Sequence, residues 1–435
     1  RNTRSVLMNI YLDTIGCRLN QSEIELFARQ FRAAGHTLVD SPIHAHLVVI
    51  NTCTVTAQAA SDSRQKIRQA ARLGTAKIVV TGCWATIEPE AAATLPGVSQ
   101  VVSNLAKDTL VPDLLHLPIL DENLEFIQRQ PLPGVHQRTR AFIKVQDGCD
   151  NHCTYCITCL ARGPSRSRPI QAVCQDIRAA LAGGSREIVL TGVHLGAWGA
   201  DLHPAAQLSD LIQAVLDETD PPRLRLSSLE PWDLDAQFFG LWRDARLCRH
   251  LHLPLQSGSA ATLHRMARKI TPQAYADLLQ TARAAIPGLA ITTDMIVGFP
   301  GETEAEFAAS YAFVQAMEFT GGHVFTYSAR PGTAAARMSG QVPHPLRKQR
   351  NHQMHNLFAQ AAQATQAQWI GSRLPVLWER AQPDGDNAWL LSGLTDTYCR
   401  VTARSEANLW NQISLVTLTA QIDGGMQGII CDRNQ

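Results

Sequence analysis

Strand-like apolar runs alternate with helical runs along most of the chain, an order that parallel sheets with crossover helices satisfy. In the amino-terminal part, Asn9-Ile10-Tyr11-Leu12 leads into Gly16-Cys17, Leu47-Val48-Val49-Ile50 into Asn51-Thr52-Cys53, and Lys77-Ile78-Val79-Val80 into Thr81-Gly82-Cys83. Between them, Ser22 to Ala34 places Ile24, Phe27 and Phe31 at helical spacing, and Ala57 to Leu73 reads as a second helix closed by Gly74. In an open α/β sheet the loops after the carboxyl ends of the strands gather at one edge. Cys17, Cys53 and Cys83 are therefore expected to meet there, although isolated buried cysteines are common and any one alone would carry no weight.

A breaker-rich stretch, Pro131-Leu132-Pro133-Gly134, reads as a linker. Beyond it strand-like runs recur at Ala141 to Val145, Glu187 to Leu190, Leu224 to Ser227, His250 to Leu253, Ile291 to Val297 and His323 to Tyr327. Helical runs such as Pro169 to Ala182 and Pro272 to Ala285 separate them, so repeated βα units fit a partial barrel. From about Trp369 the helical pattern is lost. Short alternating runs at Leu374 to Leu377, Trp389 to Leu391, Cys399 to Ala403 and Ile413 to Ile422, with turns at Pro383-Asp384-Gly385-Asp386 and Gly424-Gly425, suit a small β-barrel. The fold class expected is α/β: an amino-terminal open parallel sheet (1–120), a linker (121–137), a central partial β/α barrel (138–367) and a carboxy-terminal β-barrel (368–435). A chain of 435 residues has room for two or three domains at roughly 150 residues each.

The loop after the first central strand carries Cys149, Cys153 and Cys156 within eight residues. A structural zinc or an electron-transfer cluster takes four protein ligands, so a compact set of three leaves one metal position open for chemistry. Cys159 is close enough to complete a four-thiolate site instead, but a small zinc module would not need the long βα framework behind it. With eleven cysteines and no export signal visible at Arg1 to Ile10, the chain is expected to bind metal in a reducing cytoplasm and not to form disulfides. Buried packing is the default for Cys159, Cys174, Cys248, Cys399 and Cys431. No uninterrupted apolar stretch reaches the roughly 18 residues of a membrane span.

A net charge of +1 gives no global sign of nucleic-acid binding, so such a reading rests on local clusters. Arg64, Lys66, Arg68 and Arg72 form one; Arg138, Arg140, Lys144, Arg162, Arg166 and Arg168, against Asp147 and Asp150, form another. The first is as readily a solvated helix face as an RNA contact. In the second, Arg162, Arg166 and Arg168 beside the cysteine triplet are candidates for a carboxylate or an RNA backbone. The segment from Gln368 onward carries five basic against seven acidic residues, unexpected for a barrel that grips RNA.

Taken together, the cysteine triplets and the runs Gly16-Cys17-Arg18-Leu19-Asn20-Gln21-Ser22-Glu23, Asn51-Thr52-Cys53-Thr54-Val55-Thr56, Ser227-Ser228-Leu229-Glu230-Pro231, Leu253-Pro254-Leu255-Gln256-Ser257-Gly258-Ser259, Thr293 to Thr303 and His323 to Ser328 resemble the radical S-adenosylmethionine methylthiotransferases over nearly the whole chain. The likeness is greatest to the branch acting on threonylcarbamoyladenosine next to the tRNA anticodon. One departure is local: Thr158-Cys159-Leu160 stands where that family usually has an Ile-Pro-aromatic run before Ala161-Arg162-Gly163.

The resemblance implies two 4Fe-4S clusters, one on Cys149, Cys153 and Cys156 that binds S-adenosylmethionine at its open iron, and an auxiliary one on Cys17, Cys53 and Cys83. It implies two cofactor molecules per turnover, one giving a methyl group to sulfur and the other a 5'-deoxyadenosyl radical. No side chain is expected to act as acid or base at the reacting carbon. It further implies a tRNA substrate, an electron donor such as a flavodoxin or ferredoxin, a sulfur source, and a TRAM-like terminal barrel. By position after barrel strands, Thr191, Gly192, Ser228, Glu230, Gln256 and Asp294 are expected near the cofactor, with Tyr155 along its adenine; each is equally a buried hydrogen-bonding or packing residue. Other readings are methylthiolation of isopentenyladenosine or of a ribosomal-protein aspartate, and a non-catalytic iron-sulfur or zinc protein that binds RNA.

Overall fold

The computed structural model describes residues 7–74, 76–117, 129–133, 139–385 and 388–431. Of the expected linker 121–137, only 129–133 fall among them, and Gly134, Arg138 and Asp386 lie outside.

Five parallel strands make the amino-terminal sheet: β1 (Asn9–Thr14), β2 (Thr37–Leu38), β3 (Leu47–Thr52), β4 (Lys77–Gly82) and β5 (Val98–Val102), in the order β2-β1-β3-β4-β5. Alternation within β3 explains the two faces. Leu47 and Val49 pack with Ile24, Phe27 and Phe31 of the helix Arg18–Ala33, whereas Val48 and Ile50 pack with Ile67 of the helix Ala57–Leu73 on the other side. The strand order reverses between β1 and β3, the position at which open α/β sheets leave a crevice beyond their carboxyl ends. Cys17 and Cys53 follow these two strands, and Cys83 follows β4, the neighbour of β3.

The central region supplies β6 (Arg140–Lys144), the short antiparallel pair β7 (Gln146–Asp147) and β8 (Arg166–Ser167), then β9 (Glu187–Thr191), β10 (Arg223–Leu226), β11 (His250–His252), β12 (Ala290–Val297) and β13 (Gly321–Thr326). Two parallel three-stranded sheets, β6-β9-β10 and β11-β12-β13, are joined by a parallel bridge between Leu224 and Leu247, giving a six-stranded open barrel. Ile143, Leu190, Leu226, Leu251 and Met295 face the surrounding helices in one core. The alternate positions face the lumen and are polar: Glu187 binds Arg225 at 2.8 Å, and His250 and His252 each reach Thr292 Oγ1 at 2.9 Å. The long helix His344–Gln368 closes the outside of β13 with Met354, Leu357 and Phe358.

A closed barrel in the order β14-β15-β16-β18-β17 ends the described chain: β14 (Arg373–Pro383), β15 (Trp389–Thr395), β16 (Arg400–Ser405), β17 (Ile413–Ile422) and β18 (Gly425–Ile430). Gly425, expected in a turn, instead opens the fifth strand, pairing with Ile422 across a two-residue turn. The barrel's acidity has a local purpose. Glu379 pairs with Arg140 at 2.7 Å and Asp396 with Arg249 at 2.7 Å, while Arg223 and Arg225 donate to the carbonyls of Leu394, Pro375, Thr395 and Asp396. Its carboxylates and carbonyls thus dock it onto the arginines of the central strands.

Candidate functional site

Loop geometry after β1 and β4 follows from two glycines. Gly16 has φ +111°, and a Cβ there would stand 2.6 Å from Cys53 Cβ and 2.8 Å from Cys53 Sγ, so only glycine lets the first loop close over the second cysteine. Gly82, at φ +99°, makes the equivalent turn that sets Cys83 at the start of the helix Cys83–Ile87. Asn20 then ties the loops by donating to Ile15 O at 2.7 Å and Thr52 O at 3.0 Å, and Asn51 donates to Asn20 O at 3.1 Å and Glu23 Oε2 at 2.9 Å. These contacts account for the runs around Cys17 and Cys53. Burial pushes the Cys53 thiol up to about 11, with Cys17 and Cys83 adding to the rise, so the three sulfurs sense one another.

Below this triplet lies a buried charge cluster. Glu23 receives Lys107 at 2.7 Å and Arg162 at 3.0 Å; Arg162 also reaches Asp147 at 2.8 Å and Asn20 Oδ1 at 2.6 Å; Lys144 reaches Asp108 at 2.6 Å. Burial alone would raise the Glu23 carboxyl, but Arg162, Lys107 and Lys144 outweigh it and hold it well below the usual carboxylate range. This corrects the expectation that Arg162 meets RNA: its side chain is 2% exposed and wholly engaged by protein groups. Arg166 and Arg168 are also turned inward. Arg166 donates to the carbonyls of Arg162 and Pro164, and Arg168 donates to Lys144 O and pairs with Asp176 at 2.7 Å.

The second triplet sits on the loop after β6, a position that β/α barrels use for catalysis. Each thiol accepts from a nearby donor: Asn151 N at 3.4 Å from Cys149, Thr158 N at 3.4 Å from Cys156, and Arg268 Nη1 at 4.0 Å from Cys153. Cys159 lies beside Cys149 and donates to Asn151 O at 2.8 Å. Several partners escaped the sequence reading. Gln146 stitches the loop through Asp147 O, Gly148 O and Ser165 Oγ and accepts from His194 N. His194 bridges Asn151 at 3.3 Å and Asp233 at 2.6 Å; burial would lower its imidazole, but Asp233 and Cys149 push it up to about 10. Arg268 stacks over Trp232 at 4.4 Å and pairs with Glu230 at 2.7 Å. A polar residue shortly after a strand end was the available signal for Gln146 and His194; Arg268 had none.

The remaining candidates gather at the same end of the barrel. Thr191 closes β9, and Gly192 lets the chain pass Gln146, whose Oε1 would be 2.9 Å from a Cβ there. Ser228 is exposed and Glu230 half-buried after β10. Gln256 adopts φ +76°, rare for a residue with a side chain, while bridging to β12. Asp294 points into the lumen, 3.2 Å from His252. Tyr155 is packed in a small apolar cluster with Met266, Phe299 and Tyr327. On the helix Ala57–Leu73, Lys66 pairs with Asp13 at 2.6 Å and Arg64 lies 5.8 Å over Trp84, leaving Arg68 and Arg72 exposed.

Among the described residues, no three donor side chains already form a coordination sphere, and all the cysteines are free thiols. The donor sets nonetheless suit iron-sulfur clusters: three thiols per set, glycine-closed loops, and N–H donors facing the sulfurs of the second set, the kind of outer contact that steadies such ligands. The sets are tied to each other. Asn104 Nδ2 lies 3.6 Å from Cys83 Sγ and donates to Ala161 O at 2.7 Å, and Arg330, in the loop after β13, donates to Thr54 O beside Cys53.

Residues 9–103 match the Uncharacterized protein family UPF0004 and residues 143–314 the Radical SAM superfamily. The chain is 36% identical over 434 residues to the threonylcarbamoyladenosine tRNA methylthiotransferase MtaB of Bacillus subtilis, covering 95% of this chain and 94% of that one. It is 30% identical over 445 residues to the tRNA-2-methylthio-N(6)-dimethylallyladenosine synthase of Geobacter sulfurreducens, covering 98% of each. Among solved structures, the radical S-adenosylmethionine methyltransferase TsrM from Kitasatospora setae, with cobalamin and a 4Fe-4S cluster bound, superposes at a TM-score of 0.59 with 16% identity over 76% of this chain and 77% of that one, a likeness of fold. Full-length identity at this level, carried by both halves that hold the cysteine sets, places the chain in the radical S-adenosylmethionine methylthiotransferase family.

Proposed function

We propose that the protein adds a methylthio group to N6-threonylcarbamoyladenosine beside the tRNA anticodon. The pairing of two three-cysteine sets on strand-end loops joined through Asn104 supports the methylthiolation chemistry, and the 36% identity over 95% of the chain to the Bacillus subtilis threonylcarbamoyladenosine enzyme, against 30% to the Geobacter one, supports the acceptor. Two 4Fe-4S clusters with S-adenosylmethionine supply the radical and methyl-transfer chemistry when bound. In this reading Cys149, Cys153 and Cys156 hold one cluster, and Cys17, Cys53 and Cys83 hold the other. Gln146 and His194 fix the loop of the first set, while Arg268 and Glu230 stand beside Cys153. Thr191, Gly192, Ser228, Gln256, Asp294 and Tyr155 line the approach to the first set. The reaction further takes electrons from an external donor of flavodoxin or ferredoxin type and sulfur from an external source. We place the activity in the cytoplasm, where tRNA is modified; among the described residues no helix is long and apolar enough to cross a membrane.

Reconstituted protein, dithionite and S-adenosylmethionine are incubated anaerobically with tRNA bearing either threonylcarbamoyladenosine or isopentenyladenosine, and the nucleosides are analysed by mass. The 2-methylthio derivative of the threonylcarbamoyl nucleoside is expected. Product from the isopentenyl substrate alone would overturn the assignment in favour of the activity that the Geobacter relative's name describes.

For the tRNA backbone, Arg68 and Arg72 are the residues of the basic helix left open to solvent. Reversing both charges is expected to weaken tRNA binding and to reduce the slope of log affinity against log salt by about two, because each phosphate contact releases about one counterion. An unchanged slope would assign these arginines to a solvated face.

A further inference from the structure

The turn between β15 and β16, Thr395 to Cys399, projects out of the terminal barrel into the amino-terminal end of the central one. Its Tyr398 has φ +68°, a left-handed conformation that costs a residue with a side chain energy unless its surroundings hold it there. Those surroundings come from other parts of the chain. The ring stacks on His250 with centroids 4.8 Å apart and planes at 20°, and the guanidinium carbons of Arg225, Arg18 and Arg140 lie 4.9, 5.7 and 5.8 Å from its centroid. Arg225 also grips the turn itself through Thr395 O and Asp396 O, both at 3.1 Å. The tyrosine hydroxyl accepts from Arg18 Nη2 at 2.8 Å.

Arg18 is the residue after Cys17 and the first of the helix Arg18–Ala33. Cys17 occupies the cap position of that helix with its thiol 3.8 Å from Asn20 Oδ1, and Arg18, the adjoining first helical residue, shares with Asn20 the placing of the loop that presents the thiol. Arg18 adjoins Cys17 in the chain, so a guanidinium anchored on Tyr398 restrains the backbone that carries the thiol.

We propose that Tyr398 is a positioning residue for the Cys17, Cys53 and Cys83 set, acting from the terminal barrel through Arg18. The inference rests on Cys17 being a cluster ligand. It gives that barrel a task in the reaction besides any contact with RNA: its turn fills the floor of the central barrel and fixes one corner of the auxiliary site.

The test uses Tyr398→Phe, which keeps the ring, its stacking and the cation contacts and removes only the hydroxyl. Two readouts are taken. The first is the electron paramagnetic resonance spectrum of the reduced auxiliary cluster, recorded with Cys149, Cys153 and Cys156 replaced by alanine so that no other cluster contributes. The second, in the otherwise intact enzyme, is the ratio of methylthio product to 5'-deoxyadenosine. The variant is expected to shift the spectrum and to lower the ratio about tenfold, the factor that goes with losing one charge-assisted hydrogen bond. Arg18→Met should shift the same spectrum and lower the same ratio, and the double variant should fall short of the sum of the two, because the substitutions share the Arg18–Tyr398 hydrogen bond while Tyr398→Phe also loses its bond with Arg140 and Arg18→Met its cation contacts with the Tyr398 and Phe142 rings. A wild-type spectrum and ratio in Tyr398→Phe would overturn the proposal, even if Tyr398→Ala lowered the melting temperature, since a purely structural plug predicts that pair of results. If the nucleoside assay identified another acceptor base while the spectrum still shifted, the positioning role would stand and only the substrate would change.

Discussion

Alanine at Cys53 is expected to abolish methylthiolation while leaving reductive cleavage of S-adenosylmethionine intact. Cys53 is buried under Gly16 and belongs to the set on the amino-terminal sheet, whereas the set proposed to bind the cofactor lies on the central barrel's first loop. Removing one thiol from a set of three leaves two donors, too few to retain a cluster whose fourth iron has no protein ligand. Anaerobically reconstituted protein should therefore fall from about eight irons to about four per chain. Cys153→Ala is expected to give the same iron loss with both activities gone. Cys159→Ser provides the control: the Cys159 thiol is already engaged by Asn151 O at 2.8 Å, and the variant should keep its iron and cleave the cofactor. Methylthiolation surviving in Cys53→Ala, or iron lost in Cys159→Ser, would refute the division of labour between the two sets.

Glu23→Gln should destabilise the apoprotein by about 3–5 kcal/mol, the usual effect of removing one partner from a buried ion pair. Glu23 is 1% exposed and receives Lys107 and Arg162, themselves almost fully buried, so the variant leaves Lys107 without a carboxylate partner where water cannot solvate it and leaves Arg162 with Asp147 alone. Nothing comparable follows from exposed pairs such as Arg178 with Glu218, which contribute little. The sign with pH is fixed by the depressed carboxyl. Its stabilisation is complete above the unfolded value of about 4.3 and is lost as the solution is acidified below it toward the folded value. Urea denaturation of wild type and variant at neutral pH measures the difference, and Glu23→Gln combined with Lys107→Met should recover part of it by removing a stranded charge. A variant that unfolds at the wild-type midpoint would show that the cluster is solvated in solution.

Much of the fold was legible because alternation and strand-end punctuation are local. The helices Ala57–Leu73 and Pro272–Ala285 lie where helical spacing and the closing residues put them, and the six strands of the central barrel match their apolar runs to within two residues at either end. The convergence of Cys17, Cys53 and Cys83 was readable from one rule, that parallel strands deliver their following loops to one edge. Two strands of the first sheet escaped. Thr37–Leu38 is too short to show a pattern, and Val98–Val102 is largely exposed, which blurs its alternation.

What failed was anything decided by a distant partner. Arg162 was grouped with Arg166 and Arg168 as an RNA contact because charge counts along the chain do not reveal Glu23, which lies 139 residues earlier. The acidity of the terminal barrel looked like a conflict with RNA binding, yet Glu379 and Asp396 answer Arg140 of β6 and Arg249 just before β11, far upstream. Tyr398 carried no motif at all; its setting is assembled from four separate segments.

The seam between the first two domains has a consequence for relatives of this chain. Arg29 bonds Asp176 at 2.6 Å, Lys144 N donates to Ser22 Oγ at 3.0 Å, and Glu23 takes Arg162 from across the boundary. A chimera that grafts the amino-terminal half of one homologue onto the barrel of another would place unmatched ions on both sides of this joint. Swaps made to exchange acceptor specificity should therefore carry positions 22, 23, 29, 144, 162 and 176 as a single block, and natural divergence at any one of them should be accompanied by change at its counterpart.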